Sequence, residues 1–356
     1  MKTVPGNSSI IGVLMGGAGL FIIIFGMKLS ASIMSPILLA VVIGISVTPL
    51  MSWLQRKGVV QGLALMITIA VIIVGVVGLM ALIGFSVSEL VVTLPQYEEN
   101  LQGQKEALQA TLGDLGMPDG QIQTSLQNTD PSKLLNYVGS LFGGILGFLS
   151  GLVIMLMVLI FLLLATPGLT SKLSLDFSQK SPTLTRFRQL ARDLREYVGI
   201  TTWINFLVGL VNAIFLFLLG VDFPILWGLL AFLMGYIPSV GFWIALIPPT
   251  ILAFFEFGAT KALIVLVGYV LINGGVQNFI QPRMMGAGLN LSPLIVVLSL
   301  FFWGWVLGPM GALLAVPLTM VVKEIFLNAY DDTRGLADLM SADSPSNDLT
   351  AKDSAK

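Results

Sequence analysis

The hydrophobic positions of this chain come in long unbroken runs, not in the one-sided stripes of a soluble helix. Residues 10–27, 33–54, 63–87, 141–165, 202–220 and 262–280 are apolar and free of charge. About 20 predominantly apolar residues let a helix cross a hydrocarbon core roughly 30 Å thick, so six full transmembrane helices are predicted. The first run follows Lys2, as in a cleaved signal peptide, but a second begins almost at once, so it is expected to be retained.

Two further apolar stretches, 223–257 and 293–327, do not fit a single crossing. One straight helix of that length would measure roughly 50 Å, and two crossings would need about 40 residues plus a turn. Each stretch has helix-breaking residues near its middle: Gly235, Pro238 and Gly241 in one, Gly304, Gly308, Pro309 and Gly311 in the other. Pro lacks a backbone donor and collides with the preceding turn. Both stretches are therefore expected to be broken helical hairpins, tolerated at membrane depth only inside protein or facing a water-filled cavity. The fold class is an all-α polytopic membrane protein: six full spans, two Gly/Pro-broken hairpins and a small α-helical extracytoplasmic unit.

Charge orients these elements. Residues 88–139 carry Glu89, Glu98, Glu99, Glu106, Asp114, Asp119 and Asp130 against Lys105 and Lys133, with Tyr97, Leu101, Leu108 and Leu112 at helical spacing. Residues 166–200 instead carry Lys172, Lys180, Arg186, Arg188, Arg192 and Arg195. Basic loops stay cytoplasmic, which puts both termini inside and the acidic unit outside. The expected order is spans one to three in 1–87, the acidic unit in 88–139, span four in 140–165 and a basic cytoplasmic linker in 166–200. A transport core in 201–328 holds both hairpins, and a polar tail in 329–356 is expected to be disordered.

The hairpins repeat at an offset of 69. Pro224, Leu229, Phe232, Gly235, Pro248 and Thr250 match Pro293, Leu298, Phe301, Gly304, Pro317 and Thr319. One crossing separates them, so they enter from opposite faces. Paired interrupted segments of opposite orientation mark the binding sites of secondary transporters; two unrelated kinked helices are the plainer reading.

Composition removes most chemistry. The chain has no Cys and no His, so disulfides, zinc sites and histidine acid–base pairs are out. No Gly-x-x-x-x-Gly-Lys-Ser/Thr loop is present. No enzyme, cofactor or metal is expected, and a net charge of -1 argues against nucleic acid. Ion coupling would need a carboxylate within a span. Asp222, Glu256 and Glu324 lie only at segment edges, where anchoring the helix ends is the plainer role; Glu256 and Glu324 are the candidates for coupling.

The polar groups inside the spans are amides. Asn205 and Asn212 share a helix face, as do Asn273, Gln277 and Gln281 leading to Arg283, with Asn278 nearby. They either bond across helices or line a path, and amides, being both donors and acceptors, suit a neutral hydroxylated solute. Tyr236, Ser239, Trp243, Trp303 and Trp305 near the breaks could line the same path or anchor at an interface. Arg283, after Pro282, where the preceding helix is expected to end, has no assigned role.

The motifs Phe223-Pro-Ile-Leu-Trp-Gly-Leu-Leu-Ala-Phe, Tyr236-Ile-Pro-Ser-Val-Gly241, Ile247-Pro-Pro249, Asn278-Phe-Ile-Gln-Pro-Arg-Met-Met-Gly286 and Leu298-Ser-Leu-Phe-Phe-Trp-Gly-Trp-Val-Leu-Gly-Pro309 resemble the autoinducer-2 exporter family of bacterial permeases. The resemblance covers nearly the whole chain, including Thr93-Leu-Pro-Gln-Tyr97, and is strongest to the branch associated with export of the quorum signal autoinducer-2. It carries the family's polar and Pro/Gly positions onto Pro238, Gly241, Asn278, Pro282, Arg283, Gly286, Gly304, Pro309 and Pro317. It implies a multi-pass protein of the bacterial inner membrane, a homo-oligomer of the pentameric kind, in contact with lipid. It also implies a small, uncharged polyhydroxylated solute, autoinducer-2 or a similar molecule, leaving through a secondary transporter or facilitator. Relatives described as sodium/proton antiporters keep cation exchange open, and a non-transporting scaffold is the remaining alternative. The site is expected near the midplane between the hairpins, with hinges at Pro238–Gly241 and Gly308–Gly311.

Overall fold

The computed structural model describes residues 7–114, 150–165, 182–285 and 291–327, with isolated positions 143, 144, 147, 339 and 340. Its described elements are all helical: α1 (Asn7–Leu29), α2 (Ala31–Arg56), α3 (Gln61–Asp114), α4 (Ser150–Ala165) and α5 (Pro182–Leu219) come first. There follow α6 (Pro224–Met234), α7 (Val240–Phe257), α8 (Ala259–Gly275), a π turn (Val276–Ile280) and α9 (Gln281–Met285). The last are α10 (Pro293–Leu307), α11 (Pro309–Leu313), α12 (Ala315–Val322) and a second π turn (Lys323–Leu327). Among the described residues, four helical stretches are long and apolar enough to cross a membrane: Ala31–Arg56, Gln61–Leu90, Thr185–Leu219 and Val240–Phe257. Leu14–Leu29, Ser150–Ala165, Pro224–Met234, Ala259–Gly275 and Pro293–Leu307 are shorter apolar helices. The expected tail, most of the basic linker up to residue 181, and the acidic stretch beyond residue 114 lie outside the described residues.

Two boundaries differ from those read off charge. α3 does not stop where the acidic stretch begins at residue 88 but runs on to Asp114, through Pro95. α5 likewise runs from the basic segment into the membrane span without a break. A change from apolar to charged side chains does not by itself end a helix, and α3 continues even past Pro95, which lacks a backbone donor. The chain forms two compact units, one from Met1–Thr48, Gly151–Leu194 and Asn290–Lys356, the other from Pro49–Ser150 and Arg195–Leu289.

The second unit holds the first hairpin. α6 opens with Pro224 in its first turn, where a missing N–H costs nothing, and closes at Gly235. The chain then turns through Ser239, held at φ 62°, into α7. Gly241 lies so close to the Met234 carbonyl oxygen that any Cβ there would collide with it. The two arms therefore meet backbone to backbone at the turn. Pro248 and Pro249 sit inside α7 without ending it.

The first unit holds the second hairpin. α10 also opens on a first-turn Pro, Pro293, and runs to Leu307. The break comes at Gly308, at φ 71° and ψ −156°, a conformation open in practice only to Gly. Gly304, expected among the breaks, is an interior residue of α10; a lone Gly is tolerated in a helix, and its Cβ position faces the Ala312 methyl at 3.7 Å. Beyond the break the chain folds back. The Trp303 indole Nε1 donates to Thr319 Oγ1 at 3.0 Å, and that hydroxyl donates to Ala315 O at 2.7 Å. The Leu307 carbonyl at the end of α10, an orphan acceptor by position, takes a hydrogen bond from Ser35 Oγ at 3.2 Å. The Lys28 ammonium at the end of α1 lies 3.9 Å from the centre of the Trp305 ring.

The offset of 69 has structural counterparts inside each hairpin. Pro224 and Pro293 begin their first arms. Thr250 Oγ1 donates to Leu246 O at 2.8 Å, and Thr319 Oγ1 makes the matching bond to Ala315 O. The break itself slips: the first arm ends at Met234 in one and at Leu307 in the other, about one helical turn later.

One further expectation is corrected. Pro282 does not end its helix. The π turn Val276–Ile280 precedes it, Gln281 N–H bonding back to Val276 O, and α9 carries the helix on to Met285. The wider turn absorbs the missing donor and the ring clash that Pro would impose on a regular helix.

The glycine contacts yield a prediction. Gly311 is buried, and a Cβ there would strike Trp303 O and come within 2.6 Å of Leu307 Cβ. Gly311→Val should destabilise the folded protein in detergent by about 1–3 kcal/mol. Gly16→Val, where no neighbour among the described residues lies within 4 Å, should leave the thermal unfolding midpoint unchanged.

Candidate functional site

α5 is the element that brings the candidate residues of the second unit together. Its small residues let α6 approach closely and antiparallel. A Cβ on Gly209 would lie 2.6 Å from Gly228 O, and one on Gly228 would lie 2.7 Å from Ala213 Cβ. Small residues at such crossings allow backbone-to-backbone packing in membranes. Further along, the Asn205 carboxamide lies directly on Gly235, leaving no room for a side chain there. Then the Tyr236 hydroxyl donates to Thr202 Oγ1 at 2.7 Å, and Thr202 Oγ1 donates to Val198 O at 2.6 Å. On another side of α5, Ile204 and Val208 form a buried cluster with Val276 of the π turn, against which Ile200, Ile280 and Met284 pack. The Lys261 ammonium donates to Leu219 O, the last carbonyl of α5, at 3.0 Å, and lies 3.3 Å from the Phe257 ring centre. A cation on C-terminal carbonyls stabilises a helix end by about 0.3–1 kcal/mol.

The buried face of α5 carries polar groups that the fold leaves unmatched. Asn212 is fully buried, and neither its Oδ1 nor its Nδ2 has a hydrogen-bond partner among the described residues. Asn205 is 6% exposed with an unpartnered Nδ2, and Thr201, 7% exposed, has the Tyr197 hydroxyl as its hydrogen-bonding neighbour. At steps of four and seven along α5, the three share one face. On α8 the Tyr269 hydroxyl is also buried and unpartnered. Leaving such a group unmet costs about 1–3 kcal/mol judged from protein mutations. Asn205, Asn212 and Tyr269 carry such groups in the second unit.

The remaining candidates fall elsewhere. Asn273 is half-buried and donates its Nδ2 to Tyr269 O at 2.9 Å, so that donor serves its own helix. Gln277 and Arg283 are exposed and Gln281 is half-buried. The Asn278 side chain lies outside the described residues, as does Gly286. Ser239 is exposed in the turn after Pro238. Glu256 is half-buried near the end of α7; it takes a hydrogen bond from the Asp222 N–H, while its Oε2 is buried without a partner. Glu324 lies in the second π turn, in the other compact unit. Thr201, Thr202 and Tyr269 were not singled out from sequence. The signal for Thr201 was available, since it lies four residues before Asn205 on the same face, but hydroxyls are common in spans.

Residues 18–331 match the family described as AI-2E family transporter. The chain belongs to the AI-2E transporter family. Among its relatives is the AI-2 transport protein TqsA of Escherichia coli, 36% identical over 304 residues, which cover 85% of this chain and 88% of TqsA. A protein of Haemophilus influenzae whose name proposes transport and gives no substrate is 34% identical over 332 residues, 92% of this chain and 95% of that protein. The Escherichia coli protein YhhT, named in the same general terms, is 28% identical over 323 residues, 91% of this chain and 92% of its own. This AI-2E transporter is thus a multi-pass membrane transport protein, not an enzyme.

An amide that holds helices together and an amide that meets a solute respond differently to replacement. Asn212→Leu removes an unmatched buried carboxamide at similar volume. It should leave the folded AI-2E transporter as stable or raise its stability by about 1–3 kcal/mol, while transport falls. Loss of stability on thermal unfolding would instead identify Asn212 as a bonded structural residue.

Proposed function

We propose that this AI-2E transporter moves autoinducer-2, or a similarly small, neutral, polyhydroxylated solute, out of the cell across the bacterial inner membrane. The observation that carries this reading is Asn212, fully buried in a helix long enough to span the bilayer, with its whole carboxamide unpartnered. Such a group is tolerable in a low-dielectric interior when something polar meets it. Carboxamides offer donor and acceptor to a hydroxylated molecule without the desolvation that a charged site would cost. The solute is suggested by TqsA, an AI-2 transport protein 36% identical to this chain.

In this reading Thr201, Asn205, Asn212 and Tyr269 furnish the polar face, with Tyr236, Ser239, Gln277, Asn278, Gln281 and Arg283 as flanking candidates. The turns at Pro238–Gly241 and Gly308–Gly311 are the hinges. The basic segments face the cytoplasm with both termini, and the acidic stretch after residue 88 faces outward. Release is by facilitated diffusion down the signal's own gradient, as a homo-oligomer.

The test compares autoinducer-2 inside and outside cells carrying a deletion, the restored chain, and the restored chain with Asn205→Ala or Asn212→Ala at equal expression. The deletion and both variants should raise intracellular signal several-fold. Identical partitioning in all strains would remove the proposal.

A second reading, sodium/proton exchange, is favoured by Glu256, whose Oε2 is buried and unpartnered beside Asp222. Proteoliposomes with an imposed sodium gradient distinguish the two. Exchange predicts proton movement that Glu256→Gln abolishes; solute export by facilitated diffusion predicts none in either protein.

A further inference from the structure

Three contacts fix the register of α8 on α5 within the second unit. The Lys261 ammonium reaches the Leu219 carbonyl. The Phe215 ring lies so close on Gly268 that any Cβ there would collide with it. Val276, just past the end of α8, packs with Ile204 and Val208. Residue numbers rise along α8 as they fall along α5, so the two helices run antiparallel. Counted from any of the three contacts, Asn212 falls level with residues 268–271, the turn of α8 that carries Tyr269.

Both residues belong to the interior at that level. On α5, Asn212 sits in the middle of the buried face formed by Ile204, Val208 and Leu216. On α8, Tyr269 continues the buried face of Ala262 and Val265. Asn212 and Tyr269 are each 0% exposed. Neither end of the Asn212 carboxamide nor the Tyr269 hydroxyl has a hydrogen-bond partner among the described residues. The Tyr269 carbonyl, by contrast, takes the Nδ2 hydrogen of Asn273, one turn on. Two packed helices thus bring an acceptor, a donor and a hydroxyl that can do either to one level of the interior.

We infer that Asn212 and Tyr269 form a single subsite that reads two hydroxyls on adjacent carbons, and that this pair sets the transporter's preference for vicinal diols. Asn212 Oδ1 accepts from one solute hydroxyl, Asn212 Nδ2 donates to the oxygen of the other, and the Tyr269 hydroxyl donates to the first oxygen. Adjacent hydroxyls hold their oxygens at nearly the separation of the two ends of one carboxamide; hydroxyls one carbon further apart spread wider in extended forms. No charged side chain takes part, so the subsite favours neutral solutes, which cost least to bury. Both groups are fully enclosed, so the structure holds the subsite closed, and solute enters when α6 moves off α5. The inference rests on the proposed solute transport and adds to it the pair of residues and the hydroxyl pattern they select.

The test compares erythritol, whose four hydroxyls are all on adjacent carbons, with pentaerythritol, whose four are never adjacent. Osmotic swelling of proteoliposomes holding the full-length transporter gives the flux of each, corrected for protein-free vesicles, and autoinducer-2 flux is measured on the same vesicles. The parent should favour erythritol about tenfold. Tyr269→Phe and Asn212→Leu should each slow erythritol about tenfold, leave pentaerythritol unchanged and keep the unfolding midpoint at or above that of the parent. The double variant should be no slower than Asn212→Leu alone, because both residues act on one diol. A preference for erythritol that survives Tyr269→Phe would overturn the subsite, since it would then reflect solute size. Losses that multiply to about a hundredfold in the double variant would also overturn it, by placing the two residues at separate stations. So would a lower unfolding midpoint in Tyr269→Phe, which would make the hydroxyl a structural tie. Autoinducer-2 flux without diol preference removes this inference alone, and diol preference without autoinducer-2 flux removes only the choice of signal as solute. A parent that moves none of the three compounds overturns both.

Discussion

The need to satisfy every backbone N–H and C=O without help from water governs this molecule. In hydrocarbon an unpaired peptide group costs several kcal/mol, so spanning segments are helical and breaks persist only where other groups take over the freed bonds. Three irregularities here have such a remedy. Ser35 takes up the terminal carbonyl of α10, Lys261 that of α5, and the π turn before Pro282 reroutes Gln281 N–H to Val276 O. Each hairpin opens on a proline in its first turn, where no intrahelical donor is lost.

With the backbone accounted for, the exceptions stand out in the side chains. Asn205 and Asn212 on α5 and Tyr269 on α8 hold buried polar atoms without partners among the described residues, while Thr202 on α5 is satisfied twice over. The same helix thus carries a stitched side and an unstitched side. A fold that pairs Tyr236 with Thr202 and seats Asn205 against a bare Gly235 backbone has geometry enough to pair its amides. Under the proposed function these are the bonds left for a hydroxylated solute to make.

Much of the architecture was legible in the residues because its causes are local. A charge-free run of 20 residues reads as a span whatever its neighbours are, and Gly308-Pro309 reads as a break because its backbone cost is intrinsic. Where the reading failed, the deciding factor lay elsewhere. Gly304 remains helical because a glycine permits a bend without demanding one. Pro282 is carried through by a π turn that nothing in the local sequence announces. The fate of the amides was the least legible. Asn273 bonds four residues back along its own helix, but Tyr236 reaches Thr202, 34 residues away in sequence. Which amides find partners depends on what sits across the interface.

The unbroken course of α3 has a mechanical consequence. Its 54 residues make a rod roughly 80 Å long, of which only Gln61–Leu90 has the composition of a span. A continuous helix couples its free part to its anchored part, and in α3 that coupling passes through Pro95, where a backbone hydrogen bond is missing and bending is easiest. Whatever grips the distal portion of α3 therefore acts on the stretch from Leu82 to Glu89 through that point.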